Sequence, residues 1–184
     1  MKKLALALAL SLSLPAAAAE VDGVKLADTA TVGGQQLVFN GGGVRSKVIF
    51  KVYNASLYVP AKTTSLAEVV KGPRRVQMNL RRNVDAKSLI EALNDGIKDN
   101  STAEQLAAIK PQLDQLTTIM TSLGDVKEGA VVTIDYANDT TTISLNGASK
   151  GTIAGADFNA ALLRIWLGNK PVQADLKAAM LKGG

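Results

Sequence analysis

The segment Asn40–Pro60, NGGGVRSKVIFKVYNASLYVP, constrains the fold more than any other stretch of the chain. Three glycines and an arginine stand directly before a long β pattern. Successive side chains of a strand point to opposite faces. Val48, Phe50 and Val52 therefore share one face, and Ile49, Lys51, Tyr53, Ala55 and Leu57 the other. A strand apolar on both faces is covered on both sides. This reading places Lys51 and Tyr53 under other structure, where a polar group needs a partner or a ligand.

The N-terminus reads differently. Lys2 and Lys3 precede an apolar run, Leu4–Leu14, then Pro15 and a series of alanines with small residues at Ala17 and Ala19. That is the pattern of a secretory signal peptide, residues 1–19. The run is shorter than the roughly 20 residues of a membrane span. The expectation is a single domain over residues 20–184, exported to a bacterial periplasm and carrying no transmembrane segment once processed. The chain has no cysteine and no histidine. Disulfides, Ser–His or Cys–His hydrolysis and zinc or haem sites of ordinary type are excluded on that ground. No metal or other cofactor is implied, and acid–base work falls to Asp, Glu, Lys or Tyr. The formal charge is +5, of which Lys2 and Lys3 contribute two. Few aromatics accompany it, which argues against a nucleic-acid partner. The excess suits an anionic ligand or a membrane surface.

Pattern and punctuation give the remaining elements. Val24–Leu26 and Gln35–Phe39 read as strands joined around Gly33-Gly34, and Lys47–Val59 as one long strand ended by Pro60. Ser65 opens a short helix. Arg74–Arg82 alternates with Val76, Met78 and Leu80 inward, and its arginines, Arg74, Arg75, Arg81 and Arg82, read as a solvated edge or an anionic contact. Asp85 caps a helix with an apolar stripe at Leu89, Ile90, Leu93 and Ile97. Thr102–Leu123 is helical, with Thr102 and Gln105 making a poor capping box and Pro111 breaking the run in two. Ala130–Tyr136 and Thr140–Leu145 form a hairpin, Lys150–Ile153 an edge strand, and Phe158–Leu167 and Val172–Leu181 the last helices. Trp166, Phe158 and Leu162 share a core-facing helical face. This order predicts α+β: an antiparallel sheet, open-faced and sandwich-like, with helices packed on one face.

The string from Gly41 through Tyr58, G-x-G-x-R-x-K-x-x-F-K-V-Y-x-x-x-L-Y, resembles the chalcone isomerase-like proteins. That superfamily includes plant isomerases that close chalcones to flavanones, fatty-acid-binding members without that activity, and exported bacterial members. The resemblance implies roles for specific residues. Arg45 corresponds to the arginine that holds substrate in the isomerases and meets the carboxylate in the fatty-acid binders. Read without the resemblance, it is either such an anchor or a surface arginine after a turn. Tyr53 stands where the isomerases have threonine and the fatty-acid binders tyrosine; otherwise it is a core tyrosine with a satisfied hydroxyl. Lys87 and Asn94, two helical turns apart, take the places of a tyrosine and an asparagine, and each also reads as an ordinary helix-surface residue. Ile165 replaces a threonine.

Three changes among five positions argue against chalcone cyclisation, which needs an ordered polar network. A ligand pocket needs only a charged anchor and apolar walls. The leading expectation is a non-catalytic binder of a fatty acid or similar amphipathic carboxylate, anchored by Arg45, with Tyr53, Asn94 and Lys87 as further ligand-binding candidates. The alternatives are an isomerase or lyase using Arg45 with Tyr53 or Lys87, and an interaction protein without a small ligand. Arg45 and Tyr53 are about 26 Å apart on a straight strand, so they share a ligand only if the chain bends near Ser46–Val48.

Overall fold

A computed structural model of the chain describes residues 19–183. The expected signal peptide lies almost wholly outside the described residues. The strands are β1 (Ala19–Val21), β2 (Val24–Leu26), β3 (Thr29–Val32), β4 (Gln35–Lys47) and β5 (Phe50–Val59). After α1 (Leu66–Val69) and β6 (Arg74–Leu80) come α2 (Ala86–Asp99), α3 (Ala103–Ala108) and α4 (Lys110–Leu123). The chain then forms β7 (Val131–Ala137), β8 (Thr140–Leu145), β9 (Ala148–Ala154), α5 (Ala156–Leu167) and α6 (Ala174–Met180). Strands β3 to β9 make one seven-stranded sheet in chain order, every neighbour antiparallel, and β1 and β2 pair separately. The sheet curls into a half-barrel, and the helices complete an α+β fold as the pattern predicts.

The core lies between the concave face and the helices. Ala55, Leu57, Val76, Met78, Leu80 and Val132 from the sheet meet Leu93, Ile97, Leu116, Phe158, Leu162 and Trp166 from the helices, all buried. A smaller cluster of Val32, Leu37 and Tyr58 covers part of the other face.

Several expectations are corrected. The partner of β4 across Gly33-Gly34 is β3, not Val24–Leu26, which pairs with β1. The glycine run lies inside a thirteen-residue strand rather than before one. Its purpose is helix packing. A Cβ on Gly43 would stand 2.9 Å from Ala179 Cβ, and one on Gly41 would collide with the Ala179 and Met180 carbonyls, so the glycines let α6 lie flat on β4. Buried Asn40 fixes this contact, its Nδ2 donating to Met180 O at 2.8 Å and Thr63 O at 2.9 Å.

The long strand expected over Lys47–Val59 is interrupted at its start. Lys47 pairs with Phe50 across a two-residue turn at Val48-Ile49. Lys51 is not covered; it is half exposed and ion-paired with Asp22 at 2.8 Å. Strand β6 is central, not a solvated edge, and Arg74 is buried. Thr102 and Gln105 form a complete capping box, because a glutamine amide reaches back to the cap N–H as a glutamate would. Pro111 sits in the first turn of α4 and divides it from α3, as read from the sequence.

Candidate functional site

The turn at Val48-Ile49 folds the chain back so that Arg45 and Tyr53 become directly paired residues on adjacent strands. Paired residues project to the same face. The register then slips by one residue between Arg45 and Ser46. Such a bulge re-aims a side chain and breaks the hydrogen-bond ladder. Gln173, the residue just before α6, repairs the break. Its Oε1 accepts from Ser46 N at 2.9 Å, and its Nε2 donates to Val44 O at 3.1 Å. The same Oε1 accepts from Arg45 Nη1 at 3.4 Å, and Arg45 also donates to the Ser46 carbonyl. Among the described residues Arg45 has no carboxylate partner. A cation held only by neutral acceptors retains capacity for an anion.

Arg45 and Tyr53 both line a cleft of about 530 Å³ between the β4–β5 hairpin, β6 and α2. Its walls are mostly apolar, including Val52, Met78, Leu80, Val84, Leu89 and Ala92. The volume falls within the usual range for small-molecule sites. A more polar groove of about 410 Å³ adjoins it along α2, and Arg45, Lys47, Ser88, Ala92 and Val172 line both. Arg45 therefore stands at the junction of an apolar and a polar compartment.

Tyr53 is set by the core behind it. Trp166 Nε1 donates to the Tyr53 hydroxyl at 3.1 Å. An indole N–H cannot accept, so the phenol keeps its own proton to give. Burial pushes the Tyr53 pKa up, with the Trp166 hydrogen bond and the Arg45 charge opposing. Tyr53 is thus a neutral donor at physiological pH.

The other sequence candidates do not join this pair. Lys87 has an 85% exposed side chain on α2, 3.8 Å from Glu91, and is not part of the cleft wall. Asn94 borders a separate shallow groove formed with Ile97, Leu106 and Leu113. Ile165 is buried and packs where Gly96 brings α2 against α5. Two cleft groups, Lys47 and Arg82, were not among the sequence candidates, nor was Gln173, which bonds to Arg45 from α6. Arg82 stacks over the Phe50 ring, its Cζ 4.9 Å from the centroid. The charge of Arg82 was visible in the arginine-rich stretch. Its place in the cleft depends on the hairpin that brings Phe50 to it.

The sequence matches the chalcone isomerase-like family model over residues 18–182. No curated protein matches it. Among solved structures the fold is similar to a fatty-acid binding protein of Arabidopsis thaliana. The TM-score is 0.65 at 9% identity, covering 86% of this chain and 92% of that one. At that identity the likeness is one of fold.

Proposed function

This chain belongs to the chalcone isomerase-like family, and we propose from that premise that it is a periplasmic, non-catalytic binder of a fatty acid or similar amphipathic carboxylate. The carboxylate meets Arg45 and the Tyr53 hydroxyl, and the chain lies along the apolar cleft toward Met78 and Leu80. The observation that carries the reading is the pairing of Arg45 with Tyr53 at the head of an apolar cleft, with no carboxylate of the described residues on Arg45. The fatty-acid-binding neighbour in fold supports the ligand class, and the N-terminal pattern supports export.

The enzymatic alternative loses part of its machinery. Lys87 stands in solvent and Ile165 packs in the core, which leaves Arg45 and Tyr53 as a binding pair without a further base beside them from the expected set. The interaction-surface alternative relied on free arginines along β6. Arg74 and Arg75 are instead engaged within the fold, Arg75 with Asp135 through two bonds of 2.6 Å.

The test is native mass spectrometry of the gently purified chain, followed by solvent extraction. A co-purified species of fatty-acid mass, absent from Arg45→Ala, is the expected result. A wild-type lipid load in Arg45→Ala would remove Arg45 from the site.

A further inference from the structure

The tip of the β4–β5 hairpin is unlike the rest of the surface. Val48 is 90% exposed, Ile49 82% and Phe50 55%, and these are consecutive. Isolated exposed apolar residues are common, but a contiguous exposed apolar group marks a binding surface. The backbone adds a second observation. Val48 has φ +57°, a left-handed conformation that is unfavourable for a β-branched residue. Two-residue hairpin turns with positive φ ordinarily take glycine or asparagine. Here the tip is apolar at the expense of local backbone comfort, a conflict characteristic of functional positions.

The charges nearest the tip are mostly positive, while Glu91, Asp95 and Asp99 of α2 line the adjoining polar groove with Arg45, Lys47 and Lys170. Lys47 and Arg82 flank it, Arg45 lies two residues behind Lys47, and none has a carboxylate partner among the described residues. Lys51 and Arg81 share the carboxylate of Asp22, which leaves that trio net positive. The carboxylate of Asp85, also at the cleft, is occupied in capping α2 through Ser88 N. An apolar point ringed by cations is complementary to an anionic lipid bilayer. The side chains enter the acyl boundary while the cations meet the phosphates. A folded protein surface would need an acidic rim around an apolar socket, a narrower requirement.

We propose that the Val48-Ile49-Phe50 tip docks this protein on an anionic membrane surface. Lys47, Val48 and Phe50 also line the cleft, so docking turns the cleft mouth toward the lipid. The docking stands on the tip and its charges, whatever occupies the cleft.

Vesicle co-sedimentation of the mature chain tests it. Vesicles of phosphatidylglycerol with phosphatidylethanolamine should bind it about a hundredfold more tightly than phosphatidylcholine, as expected for Lys47, Arg82 and the net positive Asp22–Lys51–Arg81 trio at a charged surface. Added salt should weaken the binding. Val48→Gly with Ile49→Ser installs the pair preferred where only the first turn residue has positive φ. This variant should melt no lower than wild type yet bind anionic vesicles at least about tenfold more weakly, since two apolar side chains no longer insert. Lys47→Gln with Arg82→Gln should narrow the difference between the two vesicle types. The proposal is overturned if wild type ignores anionic vesicles, or if the turn variant binds them unchanged. It is also overturned if wild type self-associates without lipid and the turn variant does not, which would assign the tip to a second copy of this chain.

Discussion

Arg45 and Arg74 stand at opposite ends of the same curled sheet, in opposite surroundings. Arg74 is 2% exposed. Its Nε donates to Asn159 Oδ1 at 2.8 Å and its Nη1 to the Gly72 and Val70 carbonyls at 2.8 and 3.0 Å. Asn159 continues the network to Thr141 at 2.9 Å, and the guanidinium lies 4.1 Å from the Tyr136 ring centroid. Burial pulls its pKa down to about 10, still well charged at neutral pH. Arg45 has one glutamine and its neighbour's carbonyl. At one end the polar contacts around Arg74 are closed inside the fold; the other end keeps an open cleft, an apolar tip and three cations with no carboxylate partner among the described residues. Buried polar groups completed inside the fold serve structure, and groups left incomplete beside a cavity are available to a ligand.

The largest expected difference lies in stability. Arg74→Met should cost about 3 kcal/mol or more in denaturant unfolding, because it strands the acceptors of Asn159, Val70 and Gly72. Arg45→Ala should cost under about 1 kcal/mol by the same measurement. Equal losses would erase the distinction between the two ends. Next in size is Gly43→Val, which drives a side chain into Ala179 and Leu176. It should destabilise by about 1–3 kcal/mol and detach α6, the element that presents Gln173 to Arg45.

Gln173→Ala sharpens the contrast within the site. Removing its bonds to Ser46 and Val44 frees the bulge, so carboxylate affinity should fall by about 1 kcal/mol, measured by calorimetric titration. Tyr53→Phe should weaken binding by about 0.5–1.5 kcal/mol, one hydrogen bond's worth. The pH dependence has a definite sign. The Tyr53 pKa is raised above its ordinary 10.0 mainly by burial. The folded state therefore holds the proton more tightly than the unfolded state, and stability from this group is lost as pH rises past about 10. Arg74, displaced downward, acts oppositely in the alkaline range. Comparing wild type with Tyr53→Phe isolates the tyrosine: wild type should lose more stability than the variant over that window. Smallest of all, Lys87→Ala should change neither stability nor binding by more than about 0.5 kcal/mol, as for an exposed ion pair.

Much of the fold was legible because its periodicities are clean. The alternation in β6, the stripe of α2 and the proline at the α3–α4 junction each reflect a local rule that tertiary packing leaves in force. A bend near Ser46–Val48 was legible only as a condition for Arg45 and Tyr53 to meet; the hairpin itself, at Val48-Ile49, was concealed because its turn residues are β-branched and read as strand interior. That hidden turn decides the site: it brings Arg45 opposite Tyr53 and Arg82 over Phe50. The motif singled out Arg45 and Tyr53 as candidates, but not the role of its glycines, which admit α6 against β4. Gln173 carried no signal, since a glutamine that mends a bulge in a distant strand is defined only by the folded register.

The most direct measurement compares a long-chain fatty acid with the alcohol of the same chain length, titrated into wild type and Arg45→Ala. An anchoring Arg45 predicts that wild type prefers the acid by about tenfold or more, the worth of a charge-assisted hydrogen bond. The preference should vanish in Arg45→Ala while the alcohol binds both proteins alike. An acid preference that survives in Arg45→Ala, or is missing from wild type, would contradict the assignment of the carboxylate to Arg45.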